Sequence, residues 1–289
     1  MQTIINPPYA CEKFASVYEF INALNTRQVN SGFFERRDNL ASQRVDEDKW
    51  SGTATWDEAV RIFRNGYSDG MEHIIRGLRN VSDPTPKPRF TTSVVGCGPH
   101  VPNYLKGRPD NMIHRKRIPV DTRVLNVYYD RVASWNISTE ELERASHLVL
   151  AAMRHLEAHG YHIGLNVMDV TCGDHQTAFP IVNVKQPHAS VNPLLIAYPM
   201  VHPAFFRRHC FRWHETAPIL TDKSYQDGYG TVFCTRFGTI AERRQQLIDH
   251  GIIGERDIYI DQAYMSKVRT ADALIEYIEQ TYSSSAVAI

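Results

Sequence analysis

The chain has 289 residues, 43% hydrophobic and 22% charged, enough for one large domain or a core domain with a smaller companion, and wholesale disorder is excluded. Lys plus Arg and Asp plus Glu both number 32, so the formal net charge is zero and a general polyanion binder is disfavoured. No run approaches the roughly 18 apolar residues of a spanning helix. Met1–Ala10 lacks a basic-then-apolar leader, and the five cysteines are scattered and odd in number; together these predict a cytoplasmic protein with reduced thiols and no membrane partner.

Taken in chain order, Phe14, Val17, Tyr18, Ile21 and Leu24 recur at helical spacing and predict a helix over Glu12–Leu24. Thr55 and Glu58 form a capping-box pair, so a second helix should open at Trp56 and stop at Gly66, with a short third over Asp69–Arg79. Pro84, Pro86 and Pro88 then mark a linker. We therefore expect residues 1–88 to form a smaller, mostly helical N-terminal region and residues 89–289 to form an α/β domain. Thr91–Val95 reads as a short strand, and Gly96–Pro109 as a turn-rich loop.

From Thr122 the pattern becomes regular. Val124–Tyr129 is a strand. Ser138 and Glu141 cap a long helix that stops at Gly160, and Tyr161–Val170 and Phe179–Val184 are strands. Helical stretches near Val191–Tyr198 and Pro203–Trp213, a short strand at Thr231–Cys234, a helix over Ile240–His250, a strand at Ile258–Ile260 and a last helix over Ala271–Tyr282 complete the order. This alternation predicts a mainly parallel sheet with helices on both faces and one antiparallel edge hairpin at about 161–184.

Ligands of open α/β sheets sit beyond the carboxyl ends of the parallel strands. Asp130, Ser134, Asp169 and Asp174 are the candidate binding residues on that edge. Cys172 and His175 (C-x-x-H), with Cys210 and His214 one helical turn apart, offer thiolate and imidazole in a set that suits tetrahedral Zn²⁺. The alternative reading is a loop thiol and a half-exposed helix face. Cys97 with His100 is a conceivable nucleophile pair without a surrounding signature, and Gly96-Cys97-Gly98 fails the dinucleotide fingerprint. The basic run His114–Arg117 allows phosphate contact, yet no aromatic platform accompanies it and nucleic acid is not favoured. In Phe205–His214 the aromatic residues read as core and Arg207, Arg208 and Arg212 as surface.

The span Val124–Leu165, a strand ending in Asp, a Ser-containing loop and a long helix ending LEAHGY, resembles the opening of the von Willebrand factor A-like fold. That resemblance implies a Rossmann-like sheet and an Asp-x-Ser-x-Ser metal-adhesion motif. Here Asp130 and Ser134 match and Val132 replaces the middle Ser, leaving a degenerate set for Mg²⁺. Otherwise Asp130 simply ends a strand and caps a loop. The pieces WSGTATWDEAVRIFRNG and GCGPHVPNYLKGRPDNMI resemble an uncharacterised family of phage and mobile-element proteins, which implies no activity but a bacterial host cytoplasm. The expected function is a non-enzymatic binding or assembly protein, with a protein partner favoured over a small molecule. The alternative is a metal-dependent enzyme using the Cys/His set or Asp130.

Overall fold

The structure is a computed structural model that describes residues 1–30, 40–47, 50–79, 90–115, 123–132 and 137–287. Strands β1 (Gln2–Asn6) and β2 (Tyr9–Phe14) open the chain and are followed by α1 (Val17–Thr26), α2 (Trp56–Asn65) and α3 (Ser68–Arg79). A small antiparallel sheet comes next: β3 (Phe90–Ser93), β4 (Gly98–Pro99) and β5 (Met112–Arg115), with the single turn α4 (Val101–Leu105) between the last two. The main run is β6 (Arg123–Asp130), α5 (Thr139–Ala158), β7 (Tyr161–Met168), β8 (Thr171–Cys172), β9 (Thr177–Lys185) and α6 (Pro193–Val201). A π-helix over Phe205–Cys210 leads into α7 (Phe211–Thr216). The chain ends through β10 (Thr231–Val232), α8 (Ile240–Asp249), β11 (Ile258–Asp261), α9 (Gln262–Met265) and α10 (Ala271–Val287). Among the described residues no helix is long and apolar enough to cross a membrane.

Local signals account for many of these ends. Thr55, Ser138 and Thr239 each accept the backbone N–H three residues on, from Glu58, Glu141 and Glu242, and so satisfy one orphan donor of the helix they start. The long α5 stops at Gly160, which takes φ +91°.

The main sheet runs β1-β2-β9-β7-β6-β11, with β8 on β9 and β10 on β8. The β7-β6-β11 part is parallel. The β2–β9 pair is also parallel, whereas β1–β2, β7–β9, β8–β9 and β8–β10 are antiparallel. The expectation of a mainly parallel, von Willebrand A-like sheet is thus corrected: the sheet is mixed, and β9 lies inside it between β2 and β7 rather than at an edge. The expected helical start is corrected too, because the chain begins with strands. The reason lies in Glu12. It occupies a fully buried place in β2, where polar residues hide the strand pattern, and its carboxylate accepts from Arg27 (2.7 and 2.9 Å) and from Trp213 Nε1 (2.7 Å). No local rule announces such a partnered charge. The proposed boundary at Pro84–Pro88 lies outside the described residues.

Alternation along the strands divides the core in two. Leu125, Val127 and Tyr129 of β6 join Ile163, Leu165 and Val167 of β7 under α1, α5, α6 and α10. Tyr128, Met168, Phe179 and Tyr259 point the other way, against Leu247 of α8 and Phe233. Phe14, Phe20, Leu24, Ala59 and Ile74 from the first quarter of the chain belong to the larger cluster. β6, between β7 and β11, is therefore buried on both faces over its C-terminal half, while Val124 at its start is exposed.

Candidate functional site

The carboxyl ends of β6, β7 and β11 bring three carboxylates into one buried layer: Asp130, Asp169 and Asp261. Each is in a different state. Asp130 Oδ1 accepts the N–H groups of Val132 and Val170, both at 3.1 Å, and Oδ2 accepts the Tyr259 hydroxyl at 2.9 Å. Burial, with Asp169 and Asp261 close by, pushes its pKa well above the usual carboxylate range. Asp261 pairs with Arg243 Nε at 2.5 Å and caps α9 by accepting from Tyr264 N–H at 2.8 Å. Among the described residues Asp169 has no hydrogen-bond partner of ordinary geometry on either oxygen. The Cys210 thiol and the Arg131 guanidinium face it, yet burial dominates and lifts its pKa to about 7.

Above this layer, at the same edge, lies a cavity of about 630 Å³. Its walls come from distant parts of the chain: Ala41 and Trp50, Val132 and Ile137 after β6, Thr171 in β8, Phe206 and Phe211, the Gly228–Thr235 turn, and Gln262, Ala263 and Ser266 around α9. None of these lining residues is Asp, Glu, Lys, Arg or His. The aromatic walls are fastened from behind. Arg207 lies 4.3 Å from the Trp50 ring centre and donates to Trp50 O (2.6 Å) and Ile137 O (3.1 Å). Arg208 donates to Thr53 Oγ1 and to the carbonyls of Ser42, Arg44 and Thr53, tying these three residues to the π-helix. Arg207, Arg208 and Arg212 are therefore buried, which corrects the reading of them as surface. The π-helix carrying Phe206 and these arginines is a winding often found where function distorts a helix.

Tyr229 is the strained point of the wall. It has φ +65°, a region that side-chain-bearing residues rarely enter. Its ring stacks on Phe211 at 4.5 Å and 10°, and its hydroxyl donates to Glu215 (2.7 Å) while accepting Ala41 N–H (3.0 Å). These contacts hold a conformation that costs on the order of 1 kcal/mol. Next to it Gly230 (φ +83°) has no room for a side chain, since a Cβ would meet the Tyr225 ring at 2.7 Å. Cys234 also lines the cavity, but burial first, with Asp130 and Asp261 behind it, lifts its pKa to about 11 and keeps the thiol protonated. Gln262 is buried, and among the described residues neither end of its amide has a hydrogen-bond partner.

The residues singled out from sequence are partly brought together. Asp130 touches the 169–172 segment through Val170, and Asp169 lies in the same layer, but both are sealed below the cavity. Ser134 lies outside the described residues. Asp174 is exposed on a turn that Asp222 fastens by accepting His175 and Gln176 N–H at 2.5 and 3.1 Å. The four Cys and His candidates do not converge. Cys172 faces Thr177, His175 is exposed, Cys210 faces Asp169, and His214 stacks on Tyr225 with Nε2 at 3.3 Å from Thr171 Oγ1. Among the described residues no group of three or more His, Cys, Asp or Glu is arranged to hold a metal ion. Cys97 and His100 are each turned to other partners, Ile113 O and Asn103 N–H. Sequence reasoning missed Trp50, Phe211, Tyr229 and Gln262. The Gly-Tyr-Gly turn at 228–230 was the one local signal, since glycines flanking an aromatic mark a forced backbone.

A family model described as a domain of unknown function (DUF7192) matches residues 2–283, and the chain belongs to that family. No curated protein and no solved structure matches it.

Proposed function

We propose that this member of the DUF7192 family is a non-enzymatic binding protein. Its ligand site is the uncharged aromatic cavity at the carboxyl ends of β6 and β11, and its ligand is a small, neutral, largely aromatic molecule. The observation that carries this reading is the separation of charge from cavity. Asp130, Asp169 and Asp261 are buried beneath the wall, and among the described residues no ionisable group beyond the spent Tyr229 hydroxyl and the protonated Cys234 thiol lines the space. A charged ligand would lose its hydration there without gaining a counter-charge. A volume of about 630 Å³ falls within the range of small-molecule sites, which moves the preference from a protein partner to a small molecule.

A neutral polarity-sensitive dye such as Nile red tests it. Saturable one-site binding is expected, with at least a tenfold loss in Ala263→Trp, which fills the cavity from a half-buried position, and an unchanged melting temperature. Dye binding indifferent to that substitution would sink the proposal. Stoichiometric zinc or magnesium in the purified protein would favour a metal-dependent enzyme instead.

A further inference from the structure

The two edges of the main sheet are treated very differently. β11, at one edge, is wholly buried: Ile258, Tyr259 and Ile260 have no exposed surface and Asp261 almost none. β1, at the other, pairs only with β2, and among the described residues no strand lies along its outer side. Four of its five residues are exposed, Ile5 to 64%. Natural edge strands are usually blunted by a charge, a proline within the strand, a bulge or a covering element. The strand Gln-Thr-Ile-Ile-Asn has no charge and no proline, carries three β-branched residues, and pairs with β2 in unbroken register.

The hairpin geometry says which groups face outward. Asn6 and Tyr9 flank a two-residue turn made of Pro7 and Pro8. Proline has no N–H, so the bonds of a widely spaced closing pair are unavailable and Asn6 and Tyr9 must exchange their own N–H and C=O groups. Alternation then turns Ile4 and Gln2 inward to Cys11 and Lys13, and leaves the N–H and C=O groups of Thr3 and Ile5 pointing away from the sheet.

We infer that the outer edge of β1 is a strand-pairing surface through which two copies of this chain join, β1 antiparallel to β1, into one continuous sheet. The outward groups are self-complementary about Ile4. Thr3 of one copy exchanges two hydrogen bonds with Ile5 of the other, Ile5 does the same with Thr3, and the two Ile4 residues meet on the two-fold axis as a close non-bonded pair. Nothing electrostatic opposes the approach, because the strand is uncharged and the chain has a formal net charge of zero. The occupant is a second copy because an isologous contact needs a strand that is its own complement, and this one is.

Sedimentation of the full chain from micromolar to sub-millimolar concentration tests it. The expected result is a concentration-dependent doubling of mass. Thr3→Pro removes an outward N–H without touching a bond to β2 and is expected to give only monomer, whereas Thr3→Val, which keeps the N–H, dimerises like the wild type. Ile5→Lys places a charge on the edge without altering the backbone and is expected to weaken the dimer at least tenfold, which covers the case of a misfolded proline variant. A wild-type monomer throughout, or a dimer indifferent to Thr3→Pro and Ile5→Lys, overturns the inference.

Discussion

Two layers at the same edge of the sheet handle polarity in opposite ways. The lower layer holds three carboxylates and the Arg131 and Arg243 guanidinium groups with almost no exposed surface, while the cavity directly above is lined, among the described residues, by rings, aliphatic side chains, hydroxyls, one amide and one thiol. Location beyond the carboxyl ends of strands does not by itself make a carboxylate a binding group. Three of the roughly four lone-pair sites of Asp130 are taken by Val132, Val170 and Tyr259, so it fastens the crossing from β6 to the 169–172 segment. The upper layer keeps its polar groups few and neutral, which suits it to a ligand that brings no charge.

The largest break in this comparison is expected from Asp130→Ala. It leaves two buried N–H groups and a buried hydroxyl without an acceptor, at a cost of about 3–5 kcal/mol in urea unfolding. A loss below about 1 kcal/mol, or a saturable Mg²⁺ titration that disappears in the same variant, would return Asp130 to the role of a ligand-binding residue.

Asp169 sharpens the contrast, because it is buried without the donors Asp130 enjoys. Its folded pKa of about 7 lies above the ordinary carboxylate value of 3.8, so the folded state holds the proton more tightly than the unfolded chain. Its contribution to stability is complete below about pH 4 and is lost as pH rises to about 7. Asp169→Asn abolishes that slope. Relative to the variant, the wild type should weaken by about 2–4 kcal/mol across this window, read from unfolding curves at several pH values. The buried His209 and His214, held down at about 3, tilt both proteins the opposite way and cancel in the difference. Parallel pH profiles for the two proteins would show that Asp169 is ionised and partnered throughout.

The smallest effect concerns the cavity wall itself. With its thiol raised to about 11, Cys234 should react with iodoacetamide at neutral pH far more slowly than a free cysteine, and Cys234→Ser should leave stability within about 0.5 kcal/mol and dye binding unchanged. Fast, selective alkylation of Cys234 would instead mark an activated nucleophile and an enzymatic cavity.

Local chemistry in the sequence determined the β6–α5–β7 unit, the helix starts at Thr55, Ser138 and Thr239, the stop at Gly160 and the unbridged cysteines, because period, caps and turn residues act over a few positions. It also placed Asp130 and Asp169 near one another at the carboxyl ends of their strands. Tertiary structure alone decided that β9 pairs with both β2 and β7, that Glu12 is a strand residue, and that the arginines of Phe205–His214 point inward. Each of these turns on a partner far along the chain: β9 on β2, Glu12 on Trp213, Arg208 on Thr53. A buried polar group is tolerated only where such a partner meets it, and no local window contains both halves of the pair. The cavity is the extreme case, since its walls come from segments spread from Ala41 to Ser266 and exist only once those segments have packed.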